Sequence, residues 1–64
     1  MNKYFYSLIK KAQEKEEKAE NWYWIEKNTS DKYDRKIAKI YKQKYDDMST
    51  KLYIEAARFL KNEF

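Results

Sequence analysis

Asn28-Thr29-Ser30-Asp31 is the one stretch in which four consecutive side chains compete with a helical backbone for its own hydrogen bonds. Such residues favour the end of one helix and the cap of the next, so the chain reads outward from residue 29 as two helices. Upstream, Phe5, Leu8, Ile9, Ala12, Ala19, Trp22 and Tyr23 recur at the spacings of one helical face and predict a helix over 3–27. Lys10, Glu14 and Lys18 add opposite-sign i, i+4 pairs to it. The position on the apolar face between Ala12 and Ala19 reads as Glu16, a carboxylate that Lys44 or a tyrosine hydroxyl across the hairpin would satisfy. Downstream, Ile37, Tyr41, Tyr45, Met48, Leu52, Ala56 and Phe59 follow spacings of 4, 4, 3, 4, 4 and 3. This eleven-residue period averages about 3.67 residues per turn and predicts a straight helix over 31–63. Ser30 or Asp31 would cap it, with Asp34 favouring its positive end. The alternative is a three-helix chain broken near 47–50, where Asp47 or Ser49 would cap a third helix.

Composition supports an all-α single domain spanning 1–64. The 64 residues contain no Gly and no Pro, and tight hairpin turns and phosphate-cradling loops depend on glycine. Leu, Ile, Val and Phe together are scarce, a sign of disorder. Twelve aromatics, seven of them Tyr, offset that by supplying burial area of about 150–250 Å² each. With neither Cys nor His, the chain lacks disulfide staples, a thiolate nucleophile, an imidazole base and the usual zinc ligands. Glu16 with Glu20, and Asp46 with Asp47, are patterns that any charged helix produces, and Ser7, Ser30 and Ser49 have no imidazole to activate them. Neither catalysis, a metal nor a cofactor is therefore expected. The N-terminal apolar run ends at Lys10-Lys11, too short for a signal peptide or a membrane span, so the cytoplasm is the expected compartment.

A domain this small, with no disulfide or metal, is marginal on its own core. Folding back about residue 29 leaves the end of the second helix without a counterpart. Met48, Leu52, Ala56, Phe59, Leu60 and Phe64 are accordingly the expected self-association surface, giving a dimer that forms a helical bundle. In size and pattern the chain resembles the tiny two-helix hairpin proteins that dimerise into four-helix bundles, some of which regulate plasmid or phage processes. That resemblance implies a homodimer and carries no functional residues with it. The Lys-, Tyr-, Asn- and Ile-rich usage points to an AT-rich coding genome such as that of a low-GC bacterium, its phage or an archaeal virus.

Two clusters are candidates for binding. In Trp22-Tyr23-Trp24-Ile25, Trp22 and Tyr23 fall toward the core while Trp24 and Ile25 lie off it, and Trp and Tyr dominate interface hot spots. This cluster is the expected partner-binding site of a non-enzymatic regulator, adaptor or inhibitor that binds a protein. The second cluster, Lys32, Arg35, Lys36, Lys39 and Lys42, shares one face of the second helix and would track phosphates in a basic nucleic-acid-binding regulator. The net charge of +4 gives that reading mild support. Association with a membrane surface is the weakest of the readings.

Overall fold

The structure, a computed structural model, describes residues 3–63, with side chains from 3 to 61. It is an antiparallel hairpin of two helices, α1 (Lys3–Asn28) and α2 (Lys32–Glu63), joined by three residues. No strand occurs among the described residues. α2 runs unbroken through 47–50, so the three-helix alternative is not adopted. Neither Asp47 nor Ser49 caps anything, and Ser49 is instead buried against α1.

Local hydrogen bonds account for the reversal. The Thr29 amide closes α1 on the Ile25 carbonyl at 3.0 Å, and the Asn28 side-chain amide donates to the Trp24 carbonyl at 2.9 Å. Thr29 Oγ1 accepts from the Asp31 amide at 3.2 Å. Asp31 Oδ1 then accepts from the Tyr33 amide at 2.7 Å and from the Asp34 amide at 3.4 Å. Asp31, rather than Ser30, is thus the N-cap of α2, satisfying two of the amides that a helix start leaves without partners.

The seam between the helices differs in detail from the sequence pattern. Along α1, Phe5, Leu8, Ala12, Lys15, Ala19, Trp22 and Glu26 are buried or half-buried, at alternating spacings of three and four. Lys15, not Glu16, therefore occupies the position between Ala12 and Ala19, and Tyr23 lies outside the seam. Along α2 the buried line is Ala38, Lys42, Tyr45, Ser49, Leu52, Ala56 and Phe59. This is a heptad, the spacing of helices that wrap one another, and not the eleven-residue period of the apolar residues. The physical reason is side-chain volume. Where two helices approach most closely, Ala12, Ala19, Ala38, Ser49 and Ala56 fit, whereas Ile37, Tyr41 and Met48 are too large and are displaced one position to the side.

Pairing across the seam also lies one to three helical turns further along α2 than a fold-back about residue 29 places it. Tyr4 meets Phe59, Trp22 meets Tyr41 and Glu26 meets Lys42. The result is a rod of 49 × 14 × 11 Å with a radius of gyration of 14.8 Å, against about 11 Å for a compact domain of this length. No large side chain is fully buried among the described residues.

Candidate functional site

The aromatic cluster occupies the last two turns of α1, beside the interhelical turn. Trp22 is half-buried and stacked on Tyr41 of α2, with ring centroids 4.9 Å apart and planes 19° from parallel. Tyr23, Trp24 and Ile25 are exposed, Trp24 most of all at 55%. Tyr23 and Trp24 touch edge to face at 5.9 Å. Trp24 lies about 100° further round the helix than Tyr23, and its position is held by the helix rather than by packing against α2. The four residues thus divide into one packing residue and three surface residues.

On the Tyr23 side, a cleft of about 260 Å³ lies between the helices, lined by Glu16, Ala19, Glu20, Tyr23, Lys42 and Asp46. Lys42 Nζ is 3.5 Å from Glu26 Oε1 and 5.4 Å from the centre of the Tyr23 ring. Lys27 Nζ stands at the same distance from that ring. Glu26 Oε1 is buried without a hydrogen bond of its own, so the Lys42 ammonium supplies its compensation as charge. The three carboxylates in the cleft do not converge, and no acidic group among the described residues is arranged to hold a metal ion.

The basic residues of α2 are not equivalent. Arg35 Nη2 donates to the Thr29 carbonyl at 3.1 Å, bracing the turn, and Lys42 is half-buried in its pair with Glu26. Lys32, Lys36 and Lys39 are exposed. Of the five cations on that face, four are thus exposed, one of them, Arg35, tied to the turn.

The C-terminal apolar set is largely consumed within the chain. Ala56 is buried in the seam, Leu52 is half-buried, and the Phe59 ring meets Tyr4 edge-on at 5.5 Å. Met48 is half-buried on the flank and Leu60 is exposed. Phe64 lies outside the described residues.

Sequence reading alone did not detect the pairing of lysines with tyrosines. Lys15 and Lys18 lie 5.8 and 5.6 Å from the Tyr45 ring, and Lys44 lies 5.9 Å from Tyr41, distances at which an ammonium is attracted to an aromatic face. Lys44 is therefore not the partner of Glu16. The Tyr53 hydroxyl takes that role, and its pKa is raised above the ordinary value by burial first, then by the charge and hydrogen bond of Glu16. A lysine-rich helix facing regularly spaced tyrosines was the signal available in the sequence.

No family model, curated protein or solved structure matches the chain. No helix among the described residues is long and apolar enough to cross a membrane.

Proposed function

We propose that the protein is a small non-enzymatic interaction module that binds another protein through Tyr23, Trp24 and Ile25, with Trp22 as their anchor to the fold. The carrying observation is the division of labour between the two indoles. Trp22 is stacked on Tyr41, whereas Trp24 keeps 55% of its surface in solvent on a helix that does not need it. The exposed indole meets the exposed Tyr23 ring edge to face, with Ile25 next round the helix on its other side, and exposed apolar surface centred on a tryptophan marks binding surfaces. In this reading the module acts as a regulator, adaptor or inhibitor by occupying its target rather than by chemistry.

The test pairs binding with stability. In affinity capture from the host lysate, Trp24→Ala weakens retention of the partner by about 2 kcal/mol or more, the scale of a hot spot. Its unfolding free energy stays within about 1 kcal/mol of wild type, as for exposed substitutions generally. Retention unchanged by Trp24→Ala, or a melt that falls as far as that of Trp22→Ala, rejects the site.

The second reading, nucleic-acid binding, rests on the outward presentation of Lys32, Lys36 and Lys39. Affinity driven by phosphate contacts falls steeply with salt. A capture abolished by nuclease and by moderate salt therefore favours those lysines over the aromatic patch.

A further inference from the structure

Displacement of the large α2 side chains from the seam leaves a second face on that helix. At 100° per residue, Tyr33, Ile37, Ile40, Tyr41, Lys44 and Met48 fall within an arc of about 100°, roughly a third of a turn from the line through Ala38, Ser49 and Ala56. Tyr33 is 72% exposed and Ile40 is 60% exposed. We propose that this face docks a second copy of the same chain, α2 against α2 and antiparallel, about a twofold axis passing between Ile40 and Tyr41.

Three observations carry the assignment. The first is area. A compact folded monomer of 8.0 kDa exposes roughly 4,500 Å², whereas this hairpin exposes 5450 Å². The excess of about 1,000 Å² per chain matches the roughly 800 Å² per partner that a standard interface removes from water.

The second is spacing. A twofold contact must be self-complementary, each position on one copy meeting its mirror in number on the other. The face has that property. Tyr33 and Met48 are equidistant from the Ile40–Tyr41 midpoint, and so are Ile37 and Lys44. Antiparallel docking about that midpoint therefore sets Tyr33 near Met48 and Ile37 on the aliphatic stem of Lys44, each contact occurring twice, and brings Ile40 to Ile40 of the other copy at the axis.

The third is charge. In an antiparallel pair, each edge of the face meets the same edge of the other copy. Lys36 and Asp47 share one edge, are both exposed, and lie on opposite sides of the midpoint, two residues or about 3 Å from exact register, a gap the lysine side chain spans. Docking brings Lys36 of each copy to Asp47 of the other. The acidic cleft and the Trp24 patch remain outside the contact, so this inference goes beyond the proposed partner site and does not depend on it.

The chain has no cysteine, so single-cysteine variants report the register directly. Under mild oxidation Ile40→Cys, close to the axis, forms a disulfide dimer roughly tenfold or more faster than Lys39→Cys, which points away, because only the former reaches bonding geometry. Sedimentation equilibrium at micromolar concentration gives about twice the 8.0 kDa of one chain. Lys36→Asp weakens association, and adding Asp47→Lys to it restores association. Because the charge-exchange variant repairs the contact, simple loss of folding is distinguishable from loss of the interface. A mass of one chain at every concentration, equal cross-linking at residues 39 and 40, or no rescue by the exchange overturns the proposal. Trp24→Ala leaves the mass unchanged, so failure here and failure of the partner site are read separately.

Discussion

The Trp22 indole lies flat on the Tyr41 phenol, 4.9 Å between centroids, and this stack is the main aromatic bond between the helices near the turn. Stacked aromatic pairs contribute about 0.5–1.5 kcal/mol beyond the area they bury. Because Trp22 is half-buried rather than enclosed, Trp22→Ala costs less than full truncation of a core tryptophan, about 2–3 kcal/mol against 3–5. Thermal melts at fixed protein concentration measure it. A loss under about 0.5 kcal/mol, the scale of ordinary surface substitutions, would show that the stack does not hold the hairpin.

Asp31 and Ser30 are adjacent and equally plausible caps by residue type, yet only Asp31 accepts the amides of Tyr33 and Asp34. Asp31→Ala is expected to cost about 0.5–2 kcal/mol, the usual value of a lost cap. Ser30→Ala is expected to be nearly neutral. Comparable losses for the two would place the cap wrongly, and chemical denaturation at neutral pH resolves the difference.

The closest approach of the helices rests on small side chains, Ala12 and Ala19 against Ala38, Ser49 and Ala56. Ala19→Leu adds volume where there is no room for it and should destabilise by about 1–3 kcal/mol, as overpacking does. Ala57→Leu, next to a seam residue but exposed, should change stability by no more than about 0.5 kcal/mol. If Ala19→Leu were stabilising, the seam would be looser than its burial indicates.

The two helices and their turn were legible because the signals are local. Asn28 to Asp31 interrupt the helix through their own side chains, and neither Gly nor Pro interferes elsewhere. The α2 seam was legible at Tyr45, Leu52, Ala56 and Phe59 and was one residue off at Ile37, Tyr41 and Met48. Hydrophobicity placed Ile37, Tyr41 and Met48 at the contact, but close approach selects for small volume, and Ala38 and Ser49 carry little hydrophobic signal. For the same reason Lys15 escaped notice, since its ammonium lies over Tyr45 while its stem lines the seam. The separation of Trp24 from Trp22 followed from helical angle alone. The engagement of Arg35 with Thr29, and of Lys42 with Glu26, depends on which residues the turn brings together, and charge counting along one helix does not contain that information.

Two tyrosines titrate above the ordinary value of 10.0, for different reasons that can be separated. Tyr4 donates to Glu55 Oε1 at 3.0 Å, and that hydrogen bond is the largest cause of its rise, ahead of the Glu55 charge and burial. For Tyr53 burial leads, with the charge and hydrogen bond of Glu16 behind it. Each raised pKa means that the folded protein favours the neutral phenol more than the unfolded chain does. This contribution to stability is complete below the unfolded value near pH 10 and is lost as pH rises through the higher folded value. Stability should therefore be insensitive to these groups at neutral pH and fall in the alkaline range. Phenolate absorbance followed against pH should show a late fraction beyond the main tyrosine transition. Glu55→Gln should remove most of the Tyr4 share, because its leading causes go with the carboxylate, whereas Glu16→Gln should return only part of the Tyr53 share, because burial remains. If both substitutions left the late fraction intact, the two carboxylates would not be reaching the phenols across the seam.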